Sequence, residues 1–167
     1  MIDICSIGHI NRDKVITSKS TVYMAGGTSF YMSRGIRQLP DKLSYKLVTK
    51  VGRGQLPEVE KLRSLGIDVL CYPSRHTVYF ENKYGANINQ RTQRVLAKAD
   101  PFTMDEMKPL EAKVFHLGSL LNDDFTPNVV KYLSTKGMIS IDAQGYLREV
   151  VGEQVRPIEW KDKEEIL

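Results

Sequence analysis

Two rhythms alternate along this chain. Short apolar runs predict strands, and stretches with apolar residues every three or four positions predict helices. Ile2 to Gly8 predicts a strand apolar enough for a central place in a sheet. Thr28 to Leu39 predicts a helix with Phe30, Met32, Ile36 and Leu39 facing inward and Pro40 just beyond its end. Tyr45 to Val51 predicts the next strand. Pro57 then opens a short helix with Val59, Leu62 and Leu65 on one face, and Gly66 stops it. There the rhythm changes: Ile67 to Cys71, Thr77 to Asn82 and Gln93 to Leu96 predict strands with no long helix between them. Thr103 to Glu106 fits a capping box. Val114 to Leu117 predicts a strand ending at Gly118-Ser119. Thr126-Pro127 opens a helix carrying Val130 and Leu133, Gly137 closes it, and Met138 to Asp142 predicts a further strand. From Trp160 the chain begins like a helix and ends at Leu167, so it is expected to break off within an α/β unit. The alternation predicts an α/β domain with a mostly parallel central sheet, flanking helices and one small β-rich excursion.

Composition narrows the class. Hydrophobic residues make up 41% and charged residues 26% of the 167 positions, the balance of a globular domain. No apolar run reaches the ~20 residues that cross a bilayer, and the first residues lack the basic flank of a signal peptide. Cys5 and Cys71 lie in apolar runs and read as buried reduced thiols. Together these features predict a cytoplasmic protein. The net charge is +4, with Arg34, Arg37, Lys42, Lys46, Lys50 and Arg53 set against Asp41 alone. Such a stretch suits nucleic acid or a phosphorylated ligand, but equally the solvated ends of helices and strands. Without an aromatic-interleaved basic stripe, no nucleic-acid partner is expected.

The site chemistry is first one of exclusion. There is no GxxxxGK[ST] loop and no GxGxxG, because Pro57 stands where Gly52-Arg53-Gly54 would need its third glycine. His9, His76 and His116 lack metal-ligand spacing, so no metal site is expected. His116, in an apolar strand, reads as a satisfied core histidine. Three polar clusters remain. Gly8-His9-Ile10-Asn11-Arg12-Asp13 follows the first strand, and there Asn11 donates and accepts while Asp13 accepts from two hydroxyls. An Asx turn explains the same residues. Ala25-Gly26-Gly27 precedes a helix and lets a ligand approach backbone amides, or is an ordinary tight turn. Asp142-Ala143-Gln144-Gly145-Tyr146-Leu147-Arg148 places Gln144 and Arg148 within reach of a phosphate or sugar oxygen.

In order and spacing these pieces resemble the N-terminal part of the ribokinase-like (PfkB) carbohydrate and nucleoside kinases. The resemblance rests on the Asn11-x-Asp13 loop, Gly26-Gly27 opening a helix, Val51-Gly52 and Leu65-Gly66-Ile67-Asp68-Val69. Phe115-His116-Leu117-Gly118-Ser119 and Asp142-x-Gln144-x-x-x-Arg148 complete it. It implies a single, incomplete ribokinase-like domain, with the C-terminal half absent and a β lid formed by residues of about 15–24 and 68–96. It implies ATP-dependent, Mg²⁺-dependent phosphorylation of a hydroxyl on a sugar, nucleoside or similar polyol, and a homodimer contact through the lid. Asn11, Asp13, Gly26 and Gly27 would bind the substrate. Tyr31 stands where the family often has a substrate-binding asparagine, and Arg53-Gly54 replaces the usual acidic pair. The family's catalytic aspartate belongs to a Gly-Ala-Gly-Asp motif that these residues do not contain. No catalytic residue is therefore expected in this chain, and no kinase activity from it alone. The alternative is a non-catalytic sugar-binding or regulatory module.

Overall fold

The computed structural model describes residues 1–39, 43–87 and 89–166. Pro40, Asp41, Lys42 and Leu167, which entered the readings above, lie outside them. In chain order the elements are β1 (Ile2–Ile7), β2 (Asn11–Ile16), β3 (Thr21–Gly26), α1 (Thr28–Ile36), β4 (Tyr45–Val51) and α2 (Leu56–Ser64). There follow β5 (Asp68–Pro73), β6 (Tyr79–Tyr84), β7 (Arg91–Ala97), α3 (Met104–Met107), β8 (Ala112–Leu117) and α4 (Pro127–Ser134). The last are β9 (Met138–Ile141), β10 (Arg148–Val151), β11 (Gln154–Pro157) and α5 (Lys163–Ile166).

Five strands form a wholly parallel sheet in the order β5-β4-β1-β8-β9. It is buried on both faces, as parallel sheets are. Neighbouring residues of β4 show this: Leu47 packs with Phe30, Val59 and Leu62 of α1 and α2, whereas Val48 packs with Phe102, Val130 and Leu133 on the α3–α4 side. The order reverses beside β1, where an open parallel sheet leaves a crevice beyond its strand ends. Across that crevice lies a second, six-stranded sheet in the order β10-β11-β7-β6-β2-β3. Phe80, Val78, Val95, Leu120 and Leu121 form a third core cluster between the sheets.

Several readings are corrected. Asn11 and Asp13 stand on strand β2, not in a loop, paired with β3 and β6. The lid stretch expected over 68–96 does not begin at Asp68, since β5 pairs in parallel with β4 and belongs to the central sheet. Its apolar Val69 packs under α2 with Leu62 and Ile67, which draws it there. The second sheet instead gains β10 and β11, two strands that short, charged sequences do not announce. Leu39 and Leu65, expected inward, are 50% and 48% exposed because α1 and α2 end before them. The capping box at Thr103 and Glu106 forms. Cys5 is buried and its thiol is pushed up to about 12 by that burial, and both cysteines are free. No helix among the described residues is long and apolar enough to cross a membrane.

The basic stretch disperses in three dimensions. Lys46 pairs with Asp68, and Lys50 is buried against Glu106 and the Pro101 carbonyl. His116 is half-buried beside Ser140 Oγ, 3.0 Å from its Nδ1. Burial lowers its pKa from the ordinary histidine value, opposed by Asp142.

Candidate acceptor site

Strand β1 runs straight into β2 through Gly8-His9-Ile10, so the chain leaves the central sheet and enters the second one within three residues. Successive β2 side chains alternate in direction. Asn11 and Asp13 face the crevice, and Arg12 faces away. Asn11 Nδ2 donates to Asp13 Oδ1 at 2.8 Å, and Asn82 Nδ2 on β6 donates to the same oxygen at 3.2 Å. Gln93 Nε2 on β7 donates to Asn82 Oδ1 at 2.8 Å, and Arg148 Nη1 donates to Gln93 Oε1 at 3.2 Å. This chain of bonds crosses the roof from β2 to β10. The guanidinium of Arg148 is further held by the Leu120 carbonyl at 2.7 Å and lies 5.1 Å from the Phe80 ring. Gln144, with its amide turned to face that guanidinium, accepts from Nη1 at 2.9 Å and Nη2 at 3.0 Å.

The floor is the Gly26-Gly27 turn. Gly27 has φ +104°, a conformation open to glycine at little cost, and stands directly before α1. Behind it, Thr28 Oγ1 donates to Asp142 Oδ2 at 2.6 Å, joining the N-terminus of α1 to the turn after β9. Tyr31, 55% exposed, stands at the mouth. The resulting cleft has a volume of about 240 Å³. Asn11, Asp13, Gly27, Tyr31, Gln144 and Arg148 all line it, and Gly26 lies directly behind Asp13. Residues drawn from both ends of the sequence thus meet in one cleft. Sequence reading missed Phe80, Asn82, Arg91 and Gln93. Their signal was the alternation of β6 and β7, which sets Asn82 and Gln93 on the same inward face as the apolar Phe80 and Val95.

The electrostatics are mixed. Asp13 has its pKa raised above the usual carboxylate value by burial, against the opposing pull of Asn11, Asn82, Arg91 and Arg148. Burial pulls Arg148 below the ordinary arginine value. Two acceptors remain uncommitted: Asn11 Oδ1 is buried without a partner, and Asp13 Oδ2 makes no hydrogen bond among the described residues.

Asp124 supports the wall from behind. It is fully buried, and its Oδ2 accepts from the amides of Leu120 at 2.7 Å and Leu121 at 3.1 Å, while Oδ1 lies 3.6 Å from His9 Nε2. It thereby fixes the Leu120 carbonyl that holds Arg148. Asp124→Ala strands two buried amides and is expected to cost about 2–4 kcal/mol of stability. Asp124→Asn keeps an acceptor there and is expected to retain most of that stability, as chemical denaturation of both variants would measure.

A parallel sheet, a β lid swung out from its first strand and a polar cleft between them define the ribokinase-like architecture, and this chain has that fold. No protein-family model matches the chain, and no curated protein matches it by sequence. Among solved structures, it is similar to a pyrophosphate-dependent kinase of the ribokinase family in a sulfate complex, at 26% identity and a TM-score of 0.85. That match covers 98% of this chain and 58% of the other. A ribokinase-family pyrophosphate-dependent kinase complexed with a pyrophosphate analog and myo-inositol matches at 25% identity and a TM-score of 0.81, over 98% and 57% of the two chains. The nucleoside kinase of Methanocaldococcus jannaschii shares the fold at 18% identity and a TM-score of 0.62, over 86% and 52%. The chain therefore spans somewhat over half the length of the kinases it matches.

Proposed function

We propose that this chain forms the acceptor side of a phosphotransferase acting on a hydroxyl of a sugar, nucleoside or cyclic polyol. Asn11, Asp13, Gly26, Gly27, Tyr31, Gln144 and Arg148 are the substrate-binding residues in this reading, with Asn82 and Gln93 as roof partners. The observation that carries it is the pair of uncommitted acceptors, Asp13 Oδ2 and Asn11 Oδ1, in one cleft with the Arg148 guanidinium. A hydroxyl is donor and acceptor at once, so a ring of hydroxyls answers both. The myo-inositol held by one matched structure makes a cyclic polyol the first candidate.

The pyrophosphate-dependent kinases among the matches support a phosphoanhydride donor, pyrophosphate beside ATP. Among the described residues no group of three or more His, Cys, Asp or Glu could hold a metal ion. The chemistry of the residues present is to bind and orient the acceptor and exclude water. One edge of the second sheet is β3, where Val22, Tyr23 and Met24 are each about half exposed. An apolar edge of this kind supports a lid-to-lid homodimer.

Calorimetric titration of the 167-residue chain with myo-inositol, ribose and adenosine tests the reading. Saturable binding of at least one, lost in Asp13→Ala, is the expected result, and a folded chain that binds none refutes it. With Mg²⁺ and ATP or pyrophosphate added, no phosphorylated polyol is expected from this chain alone. Measurable turnover would overturn the placing of the catalytic base outside these residues. Polyol binding without turnover in the protein isolated from its source would favour a non-catalytic binding module.

A further inference from the structure

We propose a second ligand site, for a phosphate-bearing small molecule, on the far side of β2 from the polyol cleft. The turns after β4 and β5 and the outer face of the lid enclose a volume of about 560 Å³ there. Arg12, Arg53, Gln55, Arg75, His76 and Tyr79 line it. The turns are locked together, with Gly52 N donating to Thr77 Oγ1 at 2.9 Å and Ser74 N to the Val51 carbonyl at 3.1 Å. Their basic side chains are thus presented from a fixed frame.

Three features give the cleft its chemistry. Arg12 lies with its guanidinium 5.1 Å from the Tyr23 ring and 5.2 Å from the Tyr79 ring, and it makes no ion pair among the described residues. Aromatic contact of this kind fixes the guanidinium while leaving its N–H donors free. Arg53 likewise has no acidic partner among the described residues, and Arg75 has only Asp100, at 3.4 Å. Gln55 is the third feature. It stands at the N-cap of α2, is 8% exposed, and its side-chain amide makes no hydrogen bond among the described residues. The amide keeps solvent access, so it is open to a ligand group that accepts from it.

Three arginines and a histidine against one aspartate leave a neutral sugar poorly matched to this cleft. A phosphoryl group suits it, since its oxygens accept from arginine forks, from the Gln55 amide and from the helix N-terminus together. Arg12 stands between Asn11 and Asp13 on β2, and Tyr79 precedes Phe80 on β6. An anion held here therefore bears on the two strands that shape the polyol cleft, and binding at either site alters affinity at the other by the same factor. This coupling rests on the acceptor reading above, but the anion site itself does not.

Calorimetric titration of the chain with pyrophosphate, without polyol, is the test. One saturable site is expected, weakened about 100-fold in Arg12→Ala/Arg53→Ala and about tenfold in Gln55→Leu. Asp13→Asn is expected to leave pyrophosphate affinity within about twofold while it removes polyol binding. Melting curves should match for the parent and the arginine variant, because both side chains are exposed. No saturable binding, or equal affinity in the double variant, would overturn the site. So would a marked gain of pyrophosphate affinity in Asp13→Asn, which would put the anion in the polyol cleft, where the carboxylate repels it. Polyol titrations of the same samples report separately on the acceptor reading.

Discussion

Asp13→Asn is expected to raise the melting temperature while weakening polyol affinity by about 100-fold or more. The two effects share one cause. Burial raises the pKa of Asp13, so the fold prefers its protonated form. The charged carboxylate therefore destabilises the protein, although two amide donors, from Asn11 and Asn82, hold one of its oxygens. The sign follows by linkage: a raised folded-state pKa means that the native state holds more protons than the unfolded chain. The contribution of Asp13 to stability is fully present below the ordinary carboxylate value, declines as pH rises toward the raised one, and is flat above it. The melting-temperature gap between variant and parent should open over that window and then stay constant. Binding moves the other way, because an asparagine puts an amide N–H or an uncharged oxygen where the free Oδ2 would accept from hydroxyls, and two charge-assisted hydrogen bonds to Oδ2 account for a loss of this size. A variant that is less stable than the parent at neutral pH would show that the carboxylate is structural.

The two adjacent glycines are expected to fail in different ways when given a side chain. A Cβ at Gly27 would lie 2.5 Å from the backbone carbonyl of His9, at a φ of +104°. Neither can relax cheaply, so Gly27→Ala is expected to cost about 2–4 kcal/mol of stability. A Cβ at Gly26 would lie 2.3 Å from Asp13 Oδ2, the end of a side chain that can rotate. Gly26→Ala should therefore fold nearly as well as the parent and lose polyol affinity by about 100-fold, because Asp13 is turned from its place. Calorimetry with the polyol and thermal melting of both variants separate the outcomes. Parent-like affinity in Gly26→Ala would mean that Asp13 does not hold the substrate.

The central sheet was legible because burial on both faces writes long β-branched runs, as in Tyr45–Val51, whose bounds match. The second sheet was hard to read for the opposite reason. Its strands bury one face only, and β10 and β11 are four residues each, with charged Arg148, Glu149 and Arg156 among them. In such strands pairing partners, not composition, fix the structure, and partners distant in sequence leave no local mark. The site divides similarly. Asn11, Asp13 and Gly26-Gly27 follow strands or precede a helix, places where ligand chemistry has a positional signature. Asn82 and Gln93 lie inside ordinary-looking strands, and only the register of β6 against β7 sets them opposite each other.

The polyol cleft is assembled from β2, the first lid strand to leave the central sheet, and from Arg148, the first residue of β10. During synthesis, Asn11 leaves the ribosome long before its partners, and the cleft does not exist until Arg148 has emerged and docked beside Phe80 and Leu120. Contacts so far apart in sequence form late in folding. If the cleft binds a polyol as proposed, a nascent chain gains nothing from it, whereas one with the cleft formed is stabilised by an amount that grows with the logarithm of the polyol's excess over its dissociation constant. On the proposed acceptor reading, supply of the small molecule would then add to the stability of the folded cleft without altering the course by which the chain folds.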